Sequence, residues 1–310
     1  MSKETSFDKE PTILIGIITY CPEDAPKRFE IMKQALPTLE RLCGDNVTFS
    51  LWDNNSCEEV QNYLKSLNFI DFKHFSKKNL YDVAPIQFLS RAGIFLDTDF
   101  VCHMEDDLEV FSENPKEKLD IIMKWLRGYS DLGGSRILKW EINNIEKYNK
   151  RGDHPDLDRA NMQSMYNVVS GEKLKMAAVD LNDGEKTVCR AALTNWHWYN
   201  FPVICKTDLY STIIPVDDIE PLQAQEGYMM KKYAETGLLL GAIDEGLVTH
   251  LAPPTPSSKT SVRHHMKNKF ANSKVKPENM GNEMPIISME EVNKEVDEAL
   301  RGLKIYVENS

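Results

Sequence analysis

Three consecutive acids, Glu105, Asp106 and Asp107, follow the apolar segment Phe100 to Met104. The apolar segment predicts a buried strand, so the acids come where that strand ends. Carboxylates crowded together at such a place repel one another and lose hydration, and a bound cation is the usual compensation. Hard oxygen ligands favour Mg²⁺ or Mn²⁺, which in turn can hold a diphosphate. An acidic turn on the surface would give the same pattern, since short acidic clusters are common there.

Three further residues suit the same chemistry, and each also has an ordinary structural explanation. Asp53 ends the second predicted strand, where a carboxylate can accept a hydrogen bond from a nucleotide base, but it also suits an Asx turn. Glu226 lies at the start of a predicted helix, where the helix dipole alone stabilises an acid. His250 follows the short predicted strand Leu247 to Thr249, and a lone histidine there is more often a core or surface residue than a ligand.

The first part of the chain predicts an alternation of strands and helices. Continuous apolar runs predict strands at 12–19, 47–52, 69–75 and 100–104. Helical stripes lie between them, the second opened by a capping box of Ser56 and Glu59, the third running from Asp82 to about Leu96, and another beginning at Pro115. This alternation is typical of a parallel sheet with helices on both faces.

The pattern weakens after Ser135, where residues 141–195 predict a loop-rich excursion. Strands are then predicted at 201–205, 238–243 and 247–251, and a helix at 222–233. A last amphipathic helix begins after Ser288. We expect residues 1–255 to form one domain, divided near residue 110, and residues 256–310 to form a mobile basic loop and a C-terminal helix.

Composition excludes several classes of protein. The 310 residues carry a net charge of −11, which argues against broad nucleic-acid binding. The six cysteines show no CxxC spacing, so they are typical of small hydrophobic residues in a reducing compartment and not of a disulfide frame or a zinc site. The polar N-terminus does not suit a signal peptide, and no apolar run approaches the length that spans a bilayer. We expect a soluble, cytoplasmic protein.

Five segments resemble the family 2 glycosyltransferases of the GT-A fold. They are ILIGIITY at the first strand, LWDNNS at the second, KKNLYDVAPIQFLSRAGIFLDTDFVCHMEDD in the middle, and QEGYMMKKYAETG and VTHL near the end. The resemblance covers roughly residues 12–251. It implies an α/β fold, with a mostly parallel sheet flanked by helices and a C-terminal extension. The domain of residues 1–255 would consist of a nucleotide-binding half (1–110) and an acceptor-side half (111–255).

The resemblance also implies a reaction and the residues that perform it. The protein would transfer a sugar from a nucleotide-sugar donor, a UDP-sugar, to an acceptor hydroxyl with inversion, using Mn²⁺ or Mg²⁺. Asp107 and His250 would hold the metal, with Glu105 replacing the usual first acid of the Asp-x-Asp motif, and Glu226 would be the general base. Asp53 would read the base of the donor. The other donor-binding residues would be Thr19, Asn79, Arg91, Glu105, Asp106 and Arg263.

Other interpretations stay open from the sequence. A nucleotidyltransferase also combines acids with Mg²⁺, but its phosphate loop is usually rich in glycine, and CPEDAPKR after the first strand has none. A non-catalytic nucleotide-sugar-binding protein of the same fold is the second alternative. Trp196 and Trp198 suit either sugar stacking or core packing, and Lys259 and Arg263 suit either closure over the diphosphate or a solvated loop. The acceptor could be a glycan, a lipid-linked glycan, a protein or a modified nucleic-acid base.

Overall fold

The computed structural model describes residues 9–137, 176–180, 188–192, 202–216, 225–243, 246–251 and 288–309. The strands in these ranges are β1 (Ile13–Thr19), β2 (Val47–Asp53), β3 (Phe72–Phe75), β4 (Phe100–Glu105), β5 (Leu108–Val110), β6 (Leu132–Arg136), β7 (Met176–Asp180), β8 (Val188–Ala192), β9 (Val203–Lys206), β10 (Leu239–Ile243) and β11 (Val248–His250). The α-helices are α1 (Pro26–Ala35), α2 (Glu58–Ser66), α3 (Val83–Phe95), α4 (Pro115–Gly128), α5 (Thr207–Ile213), α6 (Gln225–Glu235) and α7 (Met289–Asn309). A 3₁₀ helix, Leu36–Leu42, continues α1.

Nine of the described strands form one sheet in the order β3-β2-β1-β4-β9-β6-β10-β8-β7. The pairings β1 with β2, β1 with β4, β2 with β3 and β6 with β10 are parallel. The remaining pairings are antiparallel, and they reverse only β8 and β9, so the other seven strands point the same way. Strands β5 and β11 form a separate two-stranded ladder.

Apolar layers cover both faces of the sheet, so β1 and its neighbour β2 are almost entirely buried. On one face, Ile13, Ile15 and Ile17 pack with α1, the 3₁₀ helix, α2 and α4. On the other face, Leu14 and Trp52 share a core with α3, α5, α6 and α7. The C-terminal helix is therefore part of the main core, with Val292 and Val296 fully buried. Within the described residues, no helix is both long and apolar enough to cross a membrane.

The predicted elements agree with the structure most closely in the first part of the chain. The first, second and fourth strands and helix α3 each end within one residue of their predicted ends. The predicted capping box is wrong, because α2 begins at Glu58 after Cys57, and the Ser56 hydroxyl instead accepts the backbone N–H of Cys21 at 2.9 Å. The third strand is shorter than predicted, since only Phe72–Phe75 pairs with β2.

The later part of the chain departs more from the prediction. Strands β5 and β6 and helix α5 lie where no element was predicted. The sheet is mixed where β9 inserts antiparallel between β4 and β6, which a simple alternation of strands and helices does not indicate. The predicted loop-rich excursion at 141–195 lies mostly outside the described residues, apart from the hairpin of β7 and β8. The basic loop from Lys259 to Lys269 is also outside them.

Candidate active site

The ends of three parallel strands create the candidate site. Thr19 ends β1, Asp53 ends β2, and these two residues are paired in register. Glu105 ends β4 and is paired with Ile18 of β1. The carboxyl ends of these strands therefore lie at one edge of the sheet, which is where open α/β sheets bind ligands.

Glu105, Asp107 and His250 converge at this edge. Each offers a ligand atom, and these atoms all lie within 4.8 Å of one another. The imidazole Nδ1 of His250 is 3.3 Å from a carboxylate oxygen of Asp107. We call these residues the metal triad, because two carboxylates and an imidazole at such distances fit the ligand preferences of a divalent cation such as Mn²⁺.

The β5–β11 ladder brings His250 to the acids. His250 pairs in register with Leu108, the residue after Asp107. The backbone N–H of Leu251 also donates to the carbonyl of Asp107 at 2.9 Å. A three-residue strand thus fixes the histidine against an acid that lies 143 residues earlier in the sequence.

Asp106 faces the interior, unlike the acids on either side of it. Its side chain is only 1% exposed, and one oxygen lies 2.7 Å from a guanidinium nitrogen of Arg28. The other oxygen accepts the backbone N–H of Tyr20 at 3.3 Å. Asp106 therefore ties the acidic turn to the loop after β1, while Glu105 and Asp107 remain partly exposed.

Electrostatic repulsion is concentrated on Glu105. Burial raises its pKa well above the ordinary value, and the nearby Asp107, Asp82 and Asp106 raise it further. Burial also acts to raise the pKa of Asp107, but the hydrogen bond and the charge of His250, together with Arg28, lower it on balance. A divalent cation bound between Glu105 and Asp107 would relieve this repulsion, which is the usual physical reason for such a cluster.

Asp53 is fully buried and holds the loop that follows β2. One carboxylate oxygen accepts the hydroxyl of Thr19 at 3.0 Å. The other accepts the backbone N–H of Ser56 and the side-chain amide of Gln61, both at 3.0 Å. With three hydrogen bonds and no exposed surface, the Asp53 carboxylate is held from within the protein.

The remaining predicted site residues lie in other described elements or outside the described part of the chain. Asn79 lies in the loop between β3 and α3 and accepts the backbone N–H of Tyr81 at 2.8 Å. Arg91, in the middle of α3, is paired with Asp297 of α7. Glu226 is the second residue of α6, but its side chain is outside the description. Arg263, Lys259, Trp196 and Trp198 are also outside it. The functional roles of all these residues stay predictions.

Arg28 was not predicted from the sequence, although among the described residues it is the cation nearest to the acids. It lies in the first turn of α1, where the helix dipole disfavours a positive charge. The ion pair with Asp106 compensates for this, and the charge of Asp106 raises the pKa of Arg28. A basic residue at the start of a helix, close after a strand of the same sheet, was the signal that could have identified it.

Comparisons with known proteins support the fold. A scan against models of protein families finds no match, and neither does a search of curated proteins. Among solved structures, a mannosyltransferase from Pyrobaculum calidifontis in complex with GDP-Man and Mn²⁺ is similar, with a TM-score of 0.51 and 11% identity over 98% of this chain and 77% of that one.

Two other solved structures are less similar. TarS from S. aureus in complex with UDP-GlcNAc has a TM-score of 0.46 and 13% identity over 94% of this chain and 72% of that one. A CMP:2-keto-3-deoxy-manno-octonic acid synthetase complexed with CTP has a TM-score of 0.44 and 11% identity over 84% and 100%. The likeness to the mannosyltransferase shows the fold, so the chain has the α/β GT-A fold that its sequence predicts.

Proposed function

We propose that the protein is a metal-dependent glycosyltransferase that moves a sugar from a nucleoside-diphosphate donor, a UDP-sugar, to an acceptor hydroxyl with inversion. The observation that carries this proposal is the convergence of Glu105, Asp107 and His250 at the ligand-binding edge of a GT-A sheet. The chain shares that fold with a mannosyltransferase whose structure contains GDP-Man and Mn²⁺.

The metal triad would hold Mn²⁺ or Mg²⁺. When bound, the ion supplies Lewis-acid stabilisation of the departing diphosphate. A mixed set of two carboxylates and one imidazole favours Mn²⁺, because Mg²⁺ is held mostly by oxygen ligands and water. In this assignment, Asp106 acts differently from its neighbours: with Arg28 and Tyr20 it fixes the backbone of the turn so that Glu105 and Asp107 face the ion.

The donor would lie along the edge from β2 to β4. Asp53 would read the base of the donor, as the family resemblance implies. Because its carboxylate is fully buried, the loop after β2 would have to open for a direct contact. Asn79 belongs to the loop that follows β3 at the same edge. The other donor residues that the family resemblance implies are Thr19, Arg91, Arg263, Glu105 and Asp106.

Glu226 would remove the proton from the acceptor hydroxyl. Such a hydroxyl has a high pKa, so it attacks the anomeric carbon readily only when a base takes its proton. One displacement from the face opposite the leaving diphosphate inverts the anomeric centre. The position of Glu226 in the first turn of α6 supports this role, since free N–H groups there stabilise a carboxylate.

The first test is an assay of a panel of nucleotide sugars with Mn²⁺ and with candidate acceptors from each open class. We expect release of a nucleoside diphosphate, and we expect Asp107→Asn to lower the rate by at least about a hundredfold, the scale of a lost electrostatic contact in a catalytic site. Glu109→Gln is a matched control, because Glu109 is a carboxylate on β5 just beyond Asp107 and is not one of the triad residues.

The alternatives predict different products. Release of pyrophosphate from a nucleoside triphosphate and a sugar phosphate would identify a nucleotidyltransferase. Binding of a nucleotide sugar without turnover, in the presence of Mn²⁺ and the full acceptor panel, would favour a non-catalytic binding protein. Equal rates for Asp107→Asn and the wild type would contradict the metal assignment.

A further inference from the structure

The C-terminal helix α7 is joined to β3, to α3 and to the loop between them by three polar side-chain contacts. Glu291 forms an ion pair with Lys78 at 2.8 Å, Asp297 forms one with Arg91, and a carboxylate oxygen of Glu295 lies at hydrogen-bond distance, 3.0 Å, from the ring nitrogen Nε2 of His74. The His74 and Glu295 side chains are only 11% and 17% exposed, whereas those of Lys78 and Glu291 are 61% and 54% exposed. The pair of Glu295 and His74 is therefore the one that solvent screens least.

His74 transmits this contact to the strand that carries Asp53. Its ring lies against the buried Trp52 with the two ring centroids 4.4 Å apart. The indole N–H of Trp52 donates to the side-chain oxygen of Asn54 at 3.2 Å. Glu295, His74, Trp52 and Asn54 thus form a continuous series of contacts that ends beside Asp53.

Asn54 in turn holds the loop between β3 and α3, residues 76–82. Its side-chain oxygen also accepts the backbone N–H of Leu80 at 3.3 Å, and its amide donates to the carbonyl of Tyr81 at 2.8 Å. Tyr81 has a φ of 52°, a conformation that costs energy for a residue with a side chain. The hydrogen bonds from Asn54, with that from Tyr81 to Asn79, hold the backbone in this conformation.

The far end of this loop carries a charge that acts on one residue of the metal triad. Asp82 follows Tyr81, and its carboxylate is close enough to raise the pKa of Glu105. The loop therefore carries both Asn79, one of the predicted donor residues, and Asp82, whose charge acts on Glu105. A change in the loop backbone would displace groups at both places.

We propose that Glu295 and His74 are positioning residues for donor binding, which act through Trp52 and Asn54 on the loop 76–82. The proposal rests on the proposed function, since it assigns this loop to the nucleotide-sugar site. Without the carboxylate, the His74 ring loses its fixed orientation against Trp52, and the strained loop loses part of its support. The expected defect is in donor affinity and not in the chemical step, because neither residue touches the reacting atoms.

The test compares Glu295→Leu with Glu291→Leu. Both replace an acid on the same helix, one turn apart, but only Glu295 contacts His74. We expect Glu295→Leu to raise KM for the donor by about three- to tenfold with kcat nearly unchanged, the scale of coupling through packed networks. Glu291→Leu is expected to leave both values at the wild-type level, because its pair is exposed.

Two more variants separate positioning from general stability. Glu295→Gln keeps an oxygen that can accept from His74, so it is expected to restore most of the donor affinity. His74→Phe keeps a ring against Trp52 but removes the hydrogen bond, so it is expected to raise KM for the donor as Glu295→Leu does. It provides the same test if Glu295→Leu does not fold. The melting temperature of each variant is measured beside KM.

Wild-type KM in both Glu295→Leu and His74→Phe would overturn the proposal, whatever their melting temperatures. The same holds if Glu291→Leu raises KM as much as Glu295→Leu. This failure differs from that of the proposed function, in which the wild type itself would neither bind nor turn over a nucleotide sugar.

Discussion

The two halves of the nine-stranded sheet are built in different ways. In the first half, β1 to β4 run parallel, and their carboxyl ends place Thr19, Asp53 and Glu105 at one edge. In the second half, β9 and β8 run antiparallel to their neighbours, and the described strands are four or five residues long. The acids of the candidate site come from the first half, whereas His250 and Glu226 come from the chain around the second.

This difference shows what each half contributes to the site. Consecutive parallel strands bring the acids together through local connections alone. His250 reaches them only through the three-residue ladder of β11 with β5, and β11 follows the strands of the second half in the sequence. The candidate metal centre therefore needs this separate ladder as well as the first half of the sheet.

The largest effect is expected from the second half, at Glu226. Glu226→Gln is close in shape but cannot accept a proton, so we expect transfer to slow by about 10²–10⁴-fold, as is common when a general base is lost. Donor affinity and metal affinity should stay close to the wild type. Single-turnover transfer to the acceptor, measured beside donor binding, checks both statements.

A wild-type transfer rate in Glu226→Gln would place the base elsewhere. Asp217, Asp218 and Glu220, which precede α6 in the sequence, would then be the next residues to test.

A smaller effect, on the free energy of unfolding, is expected when a glycine in each half of the sheet is replaced by alanine. A Cβ added at Gly134 of β6 would lie 2.6 Å from the backbone oxygen of Ile204 on the adjacent β9, so strands must shift. A Cβ at Gly16 of β1 would lie 2.8 Å from the end of the Leu89 side chain, which can move. We expect Gly134→Ala to lower the free energy of unfolding by about 1–3 kcal/mol, and Gly16→Ala to lower it less.

Denaturant unfolding of the two variants provides the comparison. A larger loss of unfolding free energy for Gly16→Ala than for Gly134→Ala would contradict this expectation, because it would mean that the first half adapts less readily to an added methyl group.

The extent to which the sequence predicts the fold follows the same division. β1 was predictable because Ile13 to Thr19 is a continuous apolar run, which a strand buried on both faces requires. β6 was missed because Leu132–Arg136 contains two glycines and an arginine, and its burial depends on β9 and β10, which lie far away in the sequence. The ladder of β5 and β11 was missed for the same reason, since three residues have no clear periodicity.

The candidate site was also partly predictable. The end of a strand followed by acids indicated Glu105 and Asp107, and the structure brings them together with His250. The sequence could not show that Asp106 turns inward, because this depends on Arg28 and Tyr20, about eighty residues earlier. The Asx turn predicted at Asp53 accounts for the hydrogen bond from the backbone N–H of Ser56. The hydrogen bond from the Thr19 hydroxyl could not be predicted, because Thr19 lies on a different strand.

The central claim is that residues at the end of the first half of the sheet and on the β5–β11 ladder bind one divalent ion. Its most direct test is a titration with Mn²⁺ in the presence of UDP, followed by electron paramagnetic resonance. We predict one bound ion per chain, an affinity at least about tenfold weaker in His250→Ala and in Asp107→Ala, and no change in the Glu109→Gln control. Wild-type Mn²⁺ affinity in both His250→Ala and Asp107→Ala would contradict the account.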